Sequence, residues 1–189
     1  EGFAYRLVPI KSNSSDYLNI SRIDSDILYD RLMNRFRWGR INEPDVFIDH
    51  NVQRTAMVLK LRNSFSRLAK KLIEEGKKDS ALKVLDRAVE LLPHPKFPYD
   101  FFMFGIIEGY YKLNEVQKAN KLTLDYAKVS EQKLRYYVSL DDRMKQYYQD
   151  DIGLTAQTLQ ELASIAETYG QNEVAVDINK MIQAALTLK

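Results

Sequence analysis

The sequence predicts an all-α fold, built as a stack of helical hairpins, and three observations predict it. Residues 65–93 show the pattern of an amphipathic helix, a turn at Gly76 and a second amphipathic helix that ends at Pro93. A similar pattern recurs over residues 101–127. The 189 residues include only seven glycines and five prolines, which is typical of a helix-rich globular protein.

Small side chains at regular positions explain why these helices are expected to pack in pairs. Antiparallel helices approach closely only where side chains are small, and Ala69, Ala81 and Ala88 supply such contact points. Gly76 permits a left-handed backbone at the turn, and Asp79 is predicted to cap the returning helix. This spacing resembles the tetratricopeptide consensus. The resemblance implies a tetratricopeptide-like right-handed stack of helical hairpins, and the open alternative is an ordinary helical bundle.

The same spacing predicts three repeat-like units. Asn114 and Ala119 repeat the offsets of Gly76 and Ala81, and Gly170 and Ala175 repeat them again. Ala81 and Ala119 are 38 residues apart, which is near the consensus period of about 34 residues plus a short insertion, for which residues 94–97 are the candidate. Before the third unit, we expect the second-repeat helix to be extended, followed by a turn at residues 139–142 and more helix. The predicted units lie near residues 62–95, 100–133 and 156–189, within one helical-repeat domain over residues 22–189.

The first part of the sequence has a different pattern. Residues 3–10 alternate with the two-residue period of a strand, and residues 11–21 are polar and rich in turn formers. Because no second strand is evident, we expect residues 1–21 to be a short N-terminal extended segment and linker from a preceding domain. Two helices should follow, one from about Ser25 to near Trp38 and a long one from about residue 50 to Glu75, after a cap at Asp49.

Composition disfavours several classes of function. The net charge of +2 gives no general reason to expect a nucleic-acid partner, and the absence of cysteine excludes disulfides and thiolate chemistry. The two histidines lack ligand spacing, and the paired aspartates at 141–142 and 150–151 are better explained as helix caps than as a metal site. No run of apolar residues is long enough to span a bilayer. We therefore predict no cofactor, no metal, no catalytic residue, no nucleic acid and no membrane span.

A groove for a protein partner is the first candidate site. In a repeat stack, the first helix of each unit faces the concave side, and its outward positions here combine aromatic and charged side chains. Such a surface suits a peptide or a partner helix, because aromatic rings bury much area with few lost rotamers. The alternative is that the rings are covered by the linker between the second and third units or by the N-terminal helix. The candidate groove residues are Asn63, Ser66, Lys70, Glu74, Phe101, Phe104, Glu108, Tyr111 and Lys112.

Arginines around the only tryptophan form the second candidate site. Arginine forks recognise phosphate well and tryptophan favours a wet interface, so this patch could bind an anion or lipid headgroups. The favoured alternative is that the indole fills the join between the first helix and the repeat, with the arginines paired to nearby aspartates. The tyrosine pairs at 110–111, 136–137 and 147–148 are likewise interpreted as packing rather than base stacking. The patch residues are Arg31, Arg35, Arg37, Trp38 and Arg40.

Five segments carry a closer resemblance. They are EGFAYRLVPI, LYDRLMNRFRWG, PDVFIDHNVQR, LRNSFSRLAKKLIEEGKKDSALKVLDRAVELLP and LRYYVSLD, within residues 1–140. Together they resemble the soluble C-terminal region of an uncharacterised bacterial family of multi-span membrane proteins, whose N-terminal portion resembles protein O-mannosyltransferases. The resemblance implies a membrane-embedded glycosyltransferase as the parent protein, with this region on the extracytoplasmic, periplasmic side. No catalytic residue carries over onto this sequence.

Two functional hypotheses follow. The first is a non-catalytic interaction or scaffold domain that binds a protein or peptide, or the membrane portion of its own chain. The second is an accessory part of the transferase active site, in which the arginine and tryptophan patch contacts the phosphate of a lipid-linked sugar. Obligate packing of the domain on its own membrane portion is a third, structural possibility.

Overall fold

The computed structural model describes residues 22–52, 57 and 60–187, and over these residues the secondary structure is helical with connecting turns. No strand occurs among them, which confirms the all-α prediction for this part of the chain. The extended segment predicted for residues 1–21 lies outside the described residues. None of the helices in the described ranges is both long enough and apolar enough to cross a membrane.

Nine α-helices are present in the described residues, and a π-helical segment, Asp30–Arg35, continues the first of them. They are α1 Ser25–Tyr29, α2 His50–Val52, α3 Asn63–Glu74, α4 Lys78–Leu91, α5 Met103–Lys112, α6 Val116–Ser139, α7 Asp142–Tyr147, α8 Gln149–Thr168 and α9 Asn172–Leu186.

The helices belong to two compact units, the first ending at Leu113 and the second beginning at Asn114. The first contains α1 to α5 and the second contains α6 to α9. The boundary falls between α5 and α6, and therefore inside the second repeat unit that the sequence predicts near residues 100–133.

Aspartate caps begin two of the early helices. The Oδ1 atom of Asp24 accepts a hydrogen bond from the backbone nitrogen of Ile27 at 3.0 Å, at the start of α1. Asp49 does the same for the nitrogen of Asn51 at 2.9 Å, at the start of α2, as predicted. The long helix predicted after Asp49 lies partly outside the described residues. Its described C-terminal part, α3, ends at Glu74, within one residue of the prediction.

The first helix ends earlier than predicted, at Arg35 instead of near Trp38. In the π-helical segment, the backbone nitrogen of Phe36 donates to the carbonyl oxygen of Arg31 at 2.9 Å. This bond reaches one residue further back than an α-helical bond. The carbonyl oxygen of Leu32 accepts instead from the indole nitrogen of Trp38, at 3.1 Å. The helix therefore stops where a side chain takes over the role of a backbone donor.

Left-handed residues mark three of the helix connections. Gly76 after α3 has φ +74° and Gly170 after α8 has φ +73°, while Asn114 between α5 and α6 has φ +63°. After α3, the nitrogen of Lys77 donates to the carbonyl oxygen of Leu72 at 2.9 Å, and an equivalent bond of 2.8 Å follows α8. These bonds satisfy carbonyls that a helix end leaves without partners. The three turn positions matched in the sequence thus share one backbone conformation.

Asp79 does not cap α4, contrary to the prediction. The helix already begins at Lys78, and the preceding residue, Lys77, makes no side-chain cap bond. The turn is short because the nitrogen of Lys77 is bonded back to α3, so the next helix starts at once. Asp79 lies inside the first turn, where its carboxylate still meets the positive end of the helix dipole.

Replacing Gly76 with alanine is expected to lower the free energy of unfolding of the first unit by about 1 kcal/mol. The cost comes from the backbone alone, because a Cβ atom at Gly76 has nothing within 4 Å, whereas its φ is +74°. Denaturant unfolding followed by Trp38 fluorescence measures it. Gly153→Ala is the matched control and should raise stability, since Gly153 lies inside α8 with equally open space and no positive φ. Because α8 belongs to the second unit, circular dichroism replaces Trp38 fluorescence for this variant. Equal stability of wild type and Gly76→Ala would contradict the prediction.

The core of the first unit is formed where α3 packs against α4 and α5. The three alanines proposed as close-contact points, Ala69, Ala81 and Ala88, are all buried, as the spacing predicts. Glycine serves the same purpose between α4 and α5, because a Cβ atom at Gly109 would lie 3.0 Å from Leu85 Cδ1. The helices of this unit are therefore close together at their small residues.

The start of α1 is fastened to the turn between α3 and α4. The hydroxyl of Ser25 donates to Glu75 Oε2 at 2.6 Å, and Lys77 Nζ donates to Asp26 Oδ1 at 2.7 Å. The hydrogen bonds from Ser25 and Lys77 hold the pKa of the Glu75 carboxyl below its usual value. These contacts explain why a helix as short as α1 has a defined place in the first unit.

In the second unit, α6, α8 and α9 each pack against the other two, and α7 packs against α8. The length of α6 and the turn that follows it, at residues 139–142, are as predicted. Asn120 Nδ2 on α6 donates to Gln171 Oε1 at 2.9 Å, which links α6 to the turn between α8 and α9. The buried core of this unit includes Ala119, Leu134, Leu159, Leu162, Ala166, Ala175 and Ile178.

Candidate functional site

The predicted groove lies on α3 and α5, which run side by side in the same direction. Arg62 at the start of α3 contacts Asp100, just before α5 and 38 residues further along the chain. One helical turn later, a Cβ atom at Gly105 would collide with the Ser66 hydroxyl. Because both contacts have nearly the same separation, the two helices are parallel and in register. This separation equals the repeat period inferred from Ala81 and Ala119.

The register depends on Arg62, which is 1% exposed and supplies hydrogen bonds to the chain before α5. Its Nη1 atom donates to the carbonyl oxygen of Pro98 at 2.8 Å and to Asp100 Oδ2 at 2.9 Å. Its Nη2 atom donates to the carbonyl oxygens of Leu92 and Phe97, at 3.2 and 3.1 Å. One side chain thus ties the beginning of α3 to the whole connection between α4 and α5.

Asp100 is the acidic partner in this network. Burial raises the pKa of its carboxyl above the usual value, while the charge of Arg62 and the backbone nitrogen of Phe102 act in the opposite direction. The Phe102 nitrogen donates to Asp100 Oδ1 at 2.8 Å, just before α5 begins. Asp100 therefore joins the connection to the helix that carries the aromatic part of the groove.

Lys96 extends the network to the chain before α2. Its ammonium group donates to the carbonyl oxygens of Glu43 and Val46, at 2.5 and 2.7 Å. On the same connection, the rings of His94 and Tyr99 stack with centroids 4.7 Å apart. The four-residue insertion inferred from the repeat period, residues 94–97, is consequently an ordered part of the first unit.

The aromatic groove positions differ in exposure. Phe101 is 63% exposed, and its ring contacts those of Phe102 and Phe104 at centroid distances of 5.9 and 5.6 Å. Phe104 is half-buried. Tyr111 is only 6% exposed, so its ring does not form part of an open face. The available aromatic surface is therefore at the N-terminal end of α5.

The polar groove positions lie on the surface or at its edge. Lys70 and Glu74 on α3 are exposed, whereas Asn63 and Ser66 are half-buried. On α5, Lys112 Nζ lies 3.1 Å from Glu108 Oε2, an ion pair between successive turns. At the groove positions, each helix thus carries one acidic and one basic side chain toward its C-terminal end.

The tryptophan patch is largely occupied by contacts within the first unit. The ring of Trp38 lies 5.6 Å from that of Phe36 and 5.9 Å from that of Phe65 on α3. Arg35 pairs with Asp30 at 2.5 Å. Arg40 pairs with Asp45 at 2.9 Å and also contacts Glu43. These contacts agree with the interpretation in which the indole fills the join between the first helix and the repeat. Of the patch residues, Arg31 is half-buried and Arg37 is exposed.

The paired aspartates singled out in the sequence lie at helix starts. Asp141 accepts a hydrogen bond from the nitrogen of Met144 at 2.9 Å and caps α7, as the sequence suggests. Asp150 and Asp151 lie in the first turn of α8. Within residues 22–52 and 60–187, no three histidine or acidic side chains converge as a metal site requires.

The sequence reasoning missed Arg62. Its position carries a usable signal, because Arg62, Phe65, Ala69 and Leu72 follow the helical period of one apolar stripe. An arginine on such a stripe is buried only if several acceptors meet it, and these acceptors come from a distant connection. Periodicity can therefore mark the position, but it cannot identify the partners.

Comparison with known proteins does not assign this protein to a family. No protein-family model matches the sequence. No curated protein is similar to it at the level required for a match. No solved structure matches it either.

Proposed function

We propose that this protein is a non-catalytic, tetratricopeptide-like interaction domain whose α3 and α5 face binds a segment of a protein partner. The observation that carries the proposal is the 63% exposure of Phe101 beside two parallel helices that are held in register by Arg62. A right-handed stack of helical hairpins exposes the first helix of each repeat on its concave side. In this reading α3 and α5 are two such helices.

The register supports this face as a binding surface. With the separation seen between Arg62 and Asp100, Asn63 corresponds to Phe101 and Ser66 corresponds to Phe104. Going toward the C-terminal ends, Lys70 corresponds to Glu108 and Glu74 to Lys112. The proposed face therefore has an aromatic end and an end where acidic and basic side chains alternate.

These features favour a segment with one apolar anchor and flanking charges. An exposed phenylalanine provides apolar area that a partner side chain removes from water, and residues of this kind often dominate binding energy. The difference between the two ends fixes the direction of the segment, since reversing it would place its charged residues against the phenylalanines and its apolar anchor against the charges. A short amphipathic helix or an extended peptide meets both requirements.

The parent protein is part of the same proposal. The resemblance to the C-terminal region of bacterial multi-span membrane proteins supports a role beside a membrane-embedded glycosyltransferase, with a partner that is an acceptor protein, another subunit or the membrane portion itself. In that setting the domain positions a protein and leaves the chemistry to the membrane portion.

Phe101→Ala is expected to weaken peptide binding by about tenfold or more, because the substitution removes the apolar anchor. The probe is a random peptide library displayed on phage and selected on the immobilised wild-type protein. Enriched peptides are then synthesised and their dissociation constants are measured by fluorescence anisotropy. Phe101 is largely exposed, so the variant should fold, and Trp38 fluorescence checks this.

The matched control is Phe47→Ala, which removes the same ring from a position that is 88% exposed and belongs to neither α3 nor α5. Its affinity should equal that of wild type. A second variant, Glu108→Lys, should weaken peptides that carry a basic residue and leave apolar peptides unchanged. Two results would reject this face as the binding site: failure to enrich any peptide, or equal dissociation constants for wild type and Phe101→Ala.

A further inference from the structure

Four tyrosines form a continuous aromatic surface in the second unit, here named the tyrosine cluster. Ring centroids lie 5.6 Å apart for Tyr136 and Tyr137, and 5.3 Å apart for Tyr137 and Tyr148. Tyr147 and Tyr148 are 5.0 Å apart and meet nearly at a right angle, 86°. The cluster therefore connects the C-terminal end of α6 with the junction of α7 and α8.

Two members of the cluster are open to solvent. Tyr147 is 78% exposed and Tyr136 is 60% exposed, whereas Tyr137 and Tyr148 are half-buried. The half-buried pair attaches the cluster to the helices, which agrees with the packing role predicted for these residues. The outer pair presents much of its ring area to solvent.

The surroundings of the cluster are negatively charged. Residues 136–154 include four aspartates, one arginine and one lysine, a net charge of −2. Asp150 and Asp151 follow the last two tyrosines after one intervening residue, Gln149, and are exposed. Burial, and next the charge of Asp151, raise the pKa of the Tyr137 hydroxyl, so this carboxylate acts on the cluster itself.

We propose that the tyrosine cluster binds an arginine side chain of a protein or peptide partner. The face of a tyrosine ring attracts a cation, and a planar guanidinium can lie against the ring while its donors reach a carboxylate. The exposed Asp150 and Asp151, three and four residues after Tyr147 in the first turn of α8, supply such carboxylates. Arginine is preferred to lysine because a guanidinium is less strongly hydrated than an ammonium group.

The same charges argue against a nucleic acid on this surface. A base stacked on Tyr147 would bring its phosphates beside Asp150 and Asp151, where like charges repel. The arginine proposal is independent of the groove on α3 and α5, because all of its residues lie in the other unit.

The test is a titration of the full chain with a blocked peptide of alternating glycine and arginine, followed by NMR of ¹³C-labelled tyrosine rings. The ring signals of Tyr136 and Tyr147, assigned from single tyrosine-to-phenylalanine variants, are expected to shift on addition of the peptide. A peptide with citrulline in place of arginine has nearly the same shape without the charge, and it should produce no shift.

Variants at Tyr147 distinguish binding by the face of the ring from binding by the hydroxyl group. Tyr147→Leu should weaken the arginine peptide by about two- to fivefold, whereas Tyr147→Phe should retain wild-type affinity because it keeps the ring. Asp151→Asn should weaken the arginine peptide and reduce the dependence of affinity on salt. Because Tyr147 is largely exposed, neither change at this position should affect folding.

Several results would overturn the proposal. One is the absence of a shift of the ring signals on addition of the arginine peptide. Another is that the citrulline peptide produces the same shifts as the arginine peptide. A third is that Tyr147→Leu and Tyr147→Phe bind the arginine peptide with equal affinity. Shifts that follow protein concentration alone would identify a second copy of this chain as the occupant, and would also reject the arginine assignment.

Discussion

Replacing Arg62 with methionine is expected to lower the free energy of unfolding of the first unit by about 3–5 kcal/mol, the usual cost of removing one partner from a buried ion pair. Methionine fills a similar volume but donates no hydrogen bond. Asp100 loses its cation, and the carbonyl oxygens of Leu92, Phe97 and Pro98 lose a donor. The register of α3 and α5 depends on the same contacts.

Denaturant unfolding measures this effect, and Trp38 is a suitable probe because its ring contacts Phe65 on α3. Arg37→Met is the matched control, since Arg37 is exposed and the same change there takes place outside the core. It should change stability by less than about 0.5 kcal/mol. Equal stabilities of the two variants would show that Arg62 is not needed for the fold of the first unit.

The penalty of Arg62→Met should also depend on pH. In wild type, burial holds the pKa of Asp100 above its unfolded value, so the folded state binds more protons between these two values. The stability contribution of Asp100 is therefore greatest below the unfolded pKa and falls as pH rises through the folded pKa. Without the cation of Arg62, which lowers this pKa, the folded value rises further.

Consequently, the difference in unfolding free energy between wild type and Arg62→Met should be smaller near about pH 4.5 than near about pH 7.5. At the lower pH, Asp100 can become neutral instead of remaining a buried charge. Repeating the comparison in an Asp100→Asn background removes the titrating group, and the pH dependence of the difference should disappear with it. A penalty that stays constant with pH in the Asp100 protein would contradict this account.

Helix connections were predictable because they depend on local chemistry. Gly76 and Gly170 stand where the chain turns with positive φ, and glycine accepts this conformation without a steric cost. Asn114 at the equivalent position is also left-handed, as asparagine tolerates this region better than most residues. Such positions can be recognised from a few neighbouring residues.

Burial of the alanine contact points was predictable for a related reason. Ala69, Ala81 and Ala88 recur with the period of one helix face, and only small residues allow helices to approach closely. Tyr111 shows the limit of this reasoning, since the sequence places it on an outward face whereas it is 6% exposed. Which side of a helix is covered depends on more neighbours than one repeat contains.

Contacts with distant residues were not predictable from the pattern. Arg62 is buried because four acceptors on the connection before α5 converge on it. The sequence around Arg62 does not predict which residues supply these acceptors. The same is true of Trp38, whose bond to the carbonyl of Leu32 ends a helix that periodicity alone would extend. For the candidate groove, the sequence identifies the positions, but their alignment across α3 and α5 comes from Arg62.

Truncating Phe97 to alanine is expected to lower the free energy of unfolding of the first unit by about 3–5 kcal/mol, although the residue lies on a connection and not in a helix. Its side chain is fully buried, and its carbonyl oxygen accepts a hydrogen bond from Arg62. If residues 94–97 were only a tolerated insertion in the repeat, removing this ring would have little effect. Trp38 fluorescence during denaturant unfolding measures the change.

Phe47→Ala provides the matched control, because the same atoms are removed from a ring that is 88% exposed. We expect its stability to stay within about 0.5 kcal/mol of wild type. The combination of Phe97→Ala with Arg62→Met should cost less than the two single changes added together, since both loosen the same connection and the second acts on a contact that the first has already weakened. Strict additivity would mean that the ring and the guanidinium stabilise the unit independently, and that the connection is not a single structural element.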